Sequence, residues 1–150
     1  MASENLAALA RELGRAMAEQ RTFLRQQIQL KIKEHNLNIT FELLEVVFFL
    51  GRHDGANQQE IADVMIKDKS SMTYLVDNLE KRDMVTRQED EADRRNKRIC
   101  LTAAGRTLLE TLDPWVTEMY EQATEGIRAA DIEKAILLVQ RMNKKLKESL

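Results

Sequence analysis

The sequence predicts a mainly helical chain carrying one small β-hairpin, on three observations. Its 150 residues include only one Pro and five Gly, so little interrupts a composition rich in helix formers. Apolar residues recur at helical spacing through most of its length. Only two short segments, "MVTRQED" and "KRICLT", read as strands, with charged residues between them. Two short helices joined by a tight turn precede this hairpin, and that order is the pattern of a winged helix-turn-helix. The chain reads as a single domain over 1–150, with the winged module at about 40–109 and long helices at 5–34 and 110–148.

Each element has its own signal. Leu6, Leu9, Leu13 and Met17, then Leu24, Ile28 and Ile32, recur at helical spacing and place one long helix before "HNLNIT". Thr40 opens a second helix whose run Val46-Val47-Phe48-Phe49-Leu50 is apolar nearly all round, as a buried central helix would be. "HDGAN" is a turn, with Gly55 for an unusual backbone angle and Asn57 as the next N-cap. "QQEIADVM" forms a short helix, and Asp68 caps the next, "KSSMTYLVDNLEKRD". Thr102 then starts a long helical region that should bend or break near Pro114. "GIRAAD" separates it from a last helix through Leu146.

Bulk composition removes several classes of function. No apolar run approaches the ~20 residues of a membrane span. "MASENLAALAREL" lacks the pattern of a signal peptide. A single Cys rules out an internal disulfide and suits a reducing compartment, so a cytoplasmic protein is expected. Nothing at catalytic spacing is present: no Gly-rich phosphate loop, nucleophile elbow or paired His. No enzyme activity and no cofactor are therefore expected. His35 and His53 stand near turns without a second ligand at a convincing spacing, so no metal site is expected either. Cys100 alternates with Ile99 and Leu101 and should face away from the hairpin's core, an incidental thiol.

On a 100° wheel the helix beginning at Lys69 splits into two sides. Met72, Leu75, Val76 and Leu79 gather on one, to pack on the preceding helix. Ser70, Tyr74, Asp77 and Lys81 form the opposite row, flanked by Ser71 and Thr73. Small hydroxyls near a helix N-terminus fit a DNA major groove, and Lys69 adds a phosphate-directed charge. Lys69, Ser70, Ser71, Thr73 and Tyr74 are therefore the candidate recognition residues.

The second basic feature is "DRRNKRICLTAAG", where four of the five residues from Arg94 to Arg98 are basic in a chain of net charge −2. A local patch of this kind on an acidic body is compatible with nucleic acid. On a protruding wing Arg94, Arg95, Lys97 and Arg98 can reach the DNA backbone and put one guanidinium into the minor groove. Glu89, Asp90, Glu91 and Asp93 share that loop, so Asp93 is expected to pair with an Arg, with Arg87 the candidate, and fix the loop's shape.

These residues resemble the MarR family (multiple antibiotic resistance regulators). In that family an aspartate-x-arginine wing tip leads into a strand ending Leu-Thr-x-x-Gly. Asp93, Arg95, Ile99, Leu101, Thr102 and Gly105 stand in the matching places. "DKSSMTYLVDNLEKRDMVTR" is similar to the family's recognition helix and first wing strand. The resemblance implies a homodimer with intertwined terminal helices, binding double-stranded DNA at a palindromic site. It makes Arg95 the minor-groove residue and implies a transcriptional regulator, commonly a repressor, with a possible small-molecule effector. Three departures stand out. Asp83 occupies a left-handed position where the family often has Gly, Tyr74 replaces a frequent Arg, and "IRAAD" lacks the usual Ser or Thr cap.

The apolar positions of 5–34, with Trp115, Val116, Met119, Tyr120, Ile127, Ile132, Ile136, Val139, Met142 and Leu146, exceed what a module of this size can cover. Burial across a two-fold axis is the simplest outlet. The competing function is a helical dimer acting as a protein-interaction or adaptor module with a degenerate winged helix, for which Asp77, Asp83 and the acidic wing residues speak.

Overall fold

The computed structural model describes residues 2–150. Its elements are α1 (Ala2–Glu34), α2 (Phe41–Arg52), α3 (Gln58–Met65), α4 (Lys69–Lys81), β1 (Val85–Glu89), β2 (Lys97–Leu101), α5 (Ala103–Ala123) and α6 (Ala129–Glu148). This is a mainly helical winged helix-turn-helix with a two-stranded antiparallel wing and flanking helices. The chain divides into two compact units, Met1–Val116 and Thr117–Leu150.

In the first unit the core forms where the wheel pattern places it. Leu44, Val46, Val47 and Leu50 of α2 meet Ile61 of α3 and Met72, Val76 and Leu79 of α4, all fully buried. Val85, Ile99 and Leu101 close it from the wing, and Leu112 from α5. Each such side chain contributes roughly 1.5–3 kcal/mol through the apolar surface it removes from water. Ile28 and Ile32 pack half-buried against this core, whereas Leu6, Leu9, Phe23 and Leu30 of the same helix are exposed.

Local chemistry fixes where the helices start. The Thr40 hydroxyl accepts from the Leu43 N–H and begins α2. Asn57 and Glu60 form a reciprocal capping box at α3. Thr102 accepts from the Gly105 N–H at the start of α5 and donates to the Asp83 carbonyl, tying that start to the end of α4. Gly105 is required there, since a Cβ at this position would lie 2.3 Å from the Met84 carbonyl oxygen. The left-handed backbone expected at Asp83 is present, at φ 57°.

α5 is not broken at Pro114, one of the two outcomes expected there: the helix continues through that residue. Proline removes the bond that the Glu110 carbonyl would otherwise accept. Burial of Leu112 and packing of Trp115 against the core hold the helix on either side.

The second unit contains the end of α5 and α6. Met119 is buried, but α6 buries none of its residues. Ile132, Ile136, Leu137, Leu138 and Leu146 are all exposed. In place of a Ser or Thr cap, α6 opens on a two-point ion pair, with the Arg128 guanidinium donating to both carboxylate oxygens of Asp131 at 2.9 Å.

Candidate nucleic-acid interface

α4 presents its polar side outward, and hydrogen bonding divides the hydroxyls along it. The Asp68 carboxylate caps the helix, accepting from the Ser71 N–H at 2.7 Å and the Ser71 hydroxyl at 3.0 Å. Those bonds, the backbone one first, hold the Asp68 carboxyl below its ordinary value. Thr73 is half-buried: its hydroxyl donates to the Lys69 carbonyl and accepts from Gln58 Nε2 at 2.7 Å, joining α3 to α4. Ser70 and Tyr74 make no side-chain hydrogen bond among the described residues, and Tyr74 is 67% exposed. Of the four hydroxyl residues predicted for recognition, these two have their polar groups uncommitted.

The wing is a two-stranded ladder with Val85 opposite Leu101, Arg87 opposite Ile99 and Glu89 opposite Lys97. Its other edge holds something the sequence reading missed. The "HDGAN" turn runs alongside β2: Gly55 N–H donates to the Ile99 carbonyl at 2.9 Å, and Ile99 N–H donates to the Ala56 carbonyl at 2.8 Å. Gly55, at φ 82°, lies directly under Arg98, whose Nε donates to the Gly55 carbonyl at 3.1 Å. The Arg98 guanidinium therefore binds the chain's own backbone.

Asp93 does not pair with Arg87. Its carboxylate accepts from the Arg95 N–H at 3.0 Å and its carbonyl from the Asn96 N–H, so it shapes the tip as a tight turn. Arg87 is held elsewhere, at the root of the wing. Its guanidinium donates to Asp77 at 2.6 Å and Glu80 at 2.9 Å, both on α4, and Glu80 also accepts from the Arg87 N–H. Arg87 is drawn to α4 because two carboxylates stand three residues apart on the helix surface that β1 crosses.

Between α3, the start of α4 and the wing lies a cleft of about 340 Å³, lined among others by Gln58, Gln59, Lys69, Arg87, Arg95, Asn96 and Lys97. Gln58, Gln59 and Asn96 were not anticipated; they carry no charge to mark them, and only the fold brings them to the wing. Of the cations in this region, Lys69, Arg94, Arg95 and Lys97 form no ion pair among the described residues, whereas Arg87 forms two. Lys69, Arg94, Arg95 and Lys97 are also exposed. The result is a groove lined by three uncommitted positive charges, Lys69, Arg95 and Lys97, with Arg94 next to them on the wing tip and Ser70 and Tyr74 on the neighbouring helix, a charge suited to a polyanion.

Other polar residues serve the frame. Asp54 accepts from the Leu101 N–H at 2.8 Å and pairs with Arg106. His35 stacks on Trp115 with ring centres 4.3 Å apart. Cys100 is half-buried, opposite Thr86. Among the described residues no cluster of three or more His, Cys, Asp or Glu could hold a metal ion, and no helix is long and apolar enough to cross a membrane.

A winged helix-turn-helix with a basic cleft between α4 and the wing defines the class. Comparison agrees with that class: residues 39–97 match the model of the MarR family. Solved structures extend the likeness to the flanking helices. A MarR transcriptional regulator from Methanosarcina mazei matches with a TM-score of 0.75 at 22% identity, covering 92% of this chain and 91% of that one. CouR from Rhodococcus jostii, bound to p-coumaroyl-CoA, matches at 0.72 and 25% identity over 87% and 90%. FabT from Streptococcus pneumoniae, in complex with DNA, matches at 0.71 and 14% identity over 93% and 99%. At such identities the likeness is one of fold.

Proposed function

We propose that this chain is a DNA-binding transcriptional regulator that acts as a homodimer on a palindromic operator, as a repressor. The observation that carries this reading is the set of uncommitted cations Lys69, Arg95 and Lys97 lining one cleft, with exposed Arg94 beside them on the wing tip, in a chain whose net charge is −2. In this reading Ser70 and Tyr74 face base edges in the major groove, Arg95 enters the minor groove, and Lys69, Arg94 and Lys97 bind phosphates. FabT, solved in complex with DNA, supports it by analogy of fold.

The homodimer is supported by the exposed apolar side chains of α1 and α6, with Leu6, Leu9, Ile136 and Leu137 each at least half exposed in the single chain. Two copies related by a two-fold would bury them and set the half-site spacing. A small-molecule effector belongs to the same reading, which the structure of CouR bound to p-coumaroyl-CoA supports by analogy of fold.

Fluorescence anisotropy with the duplex upstream of the protein's own gene, against a scrambled duplex at two salt concentrations, tests the proposal. Preferential binding that weakens steeply with salt is the expected result. Equal, weak, salt-insensitive binding to both duplexes would overturn it in favour of a protein-interaction module.

A further inference from the structure

The row of α4 residues that faces away from the core contains a contradiction for a DNA-binding helix. Asp77 is on it, and Glu80 lies one turn on; both are exposed, with side chains 50% and 44% accessible. Two carboxylates beside phosphates repel unless something cancels them. Arg87 is the group in position to do so. Its guanidinium bridges the pair, it is the most buried of the three at 19% side-chain accessibility, and it lines the same cleft as Lys69, Arg95 and Lys97.

We propose that Arg87 is a positioning and charge-masking residue for DNA binding. It engages no base or phosphate; it holds Asp77 and Glu80 so that the recognition face presents one net negative charge there instead of two. This rests on the DNA-binding reading above. The arrangement also separates the two kinds of cation in the module. Lys69, Arg95 and Lys97 are left unpaired for an external anion, while Arg87 is consumed by internal ones.

The geometry makes a specific demand. Removing Arg87 exposes the full repulsion of both carboxylates, and removing the carboxylates as well abolishes that repulsion. A role in wing folding alone, or a direct contact to DNA, would not be rescued this way. The experiment measures duplex affinity at low and moderate salt for wild type, R87A, the double variant D77N/E80Q and the triple variant R87A/D77N/E80Q. Thermal melts of the same proteins check that each is folded. The expected result for R87A is a loss of about tenfold at low salt, on both upstream and scrambled duplexes, shrinking as the Debye length falls from roughly 30 Å at 0.01 M to 10 Å at 0.1 M salt. The triple variant should recover to within about twofold of wild type, and D77N/E80Q, with Arg87 released into the cleft, should bind more tightly than wild type.

Three results would overturn the proposal: an R87A loss that persists in the triple variant, an R87A loss independent of salt, or no loss in a folded R87A. Each is distinguishable from failure of the DNA-binding reading itself, which would appear as the absence of salt-dependent binding in the wild type.

Discussion

The winged module and α6 use the same apolar residue types and dispose of them differently. Leu44, Val47, Met72 and Leu79 are fully buried within the first unit, each by residues brought together from several elements. α6 has Ile132, Ile136, Leu137 and Leu138 and buries none of its residues. One region satisfies its hydrophobic surface inside a single chain; the other carries a surface that a single chain leaves wet. The lesson is that helix formation and helix burial are separate questions. Amphipathic spacing predicts a helix in both regions, but only the inventory of partners says whether the chain itself covers the stripe.

Leu79→Ala should cost about 3 kcal/mol of folding stability, within the usual 2–5 kcal/mol for a leucine cavity, measured by urea denaturation. On α6 the corresponding substitution is Ile136→Asp, at a residue 50% exposed in the single chain. If a second copy covers α6, a carboxylate there weakens the dimer by about 3 kcal/mol, roughly a hundredfold in dissociation constant. Analytical ultracentrifugation would show the shift toward monomer, with the winged module still folded by circular dichroism. A dimer indifferent to that substitution would contradict the assignment of this face.

Smaller effects probe the turns that hold the module. Ile66 caps α3 at φ 52° with its side chain 89% exposed, a left-handed conformation that costs a β-branched residue about 1–2 kcal/mol. Ile66→Gly relieves that strain and gives back part of it through the unfolded chain's added freedom, for a net gain of about 0.5 kcal/mol in a chemical denaturation midpoint. The Asp68 cap supplies a pH dependence. Its folded-state carboxyl titrates below the ordinary value of 3.8, so its contribution is complete above that value and lost as pH falls through the lowered one. Asp68→Ala should therefore lower stability in the neutral region and flatten the acid limb, the variant and wild type converging as pH falls below the lowered value.

Much of this architecture is legible in the sequence because capping and alternation are local. Thr40, Asn57, Asp68 and Thr102 each act on an N–H three residues away, and the wing's Val85, Ile99 and Leu101 follow a period of two. What escaped the sequence depends on distant parts of the chain meeting. Arg98 reaches a carbonyl 43 positions earlier, and Gln58 reaches a hydroxyl 15 positions later. Asp93 looked like a partner for Arg87 because both belong to the hairpin. Asp77 and Glu80 won because the chain turns at Asp83 and brings β1 back across α4. Adjacent residues Lys97 and Arg98 have one composition and two fates, since successive side chains of a strand point to opposite faces.

DNA binding by this module depends most directly on whether the uncommitted cations meet phosphates. The decisive measurement is the slope of log affinity against log salt for the upstream duplex, with wild type and the double variant Arg94→Ala/Lys97→Ala. Each phosphate contact contributes about 0.9 to that slope, so losing two cations in each of two protomers should make it shallower by roughly 3.6. A slope unchanged by the double variant would contradict the assignment of the wing as a DNA-binding element.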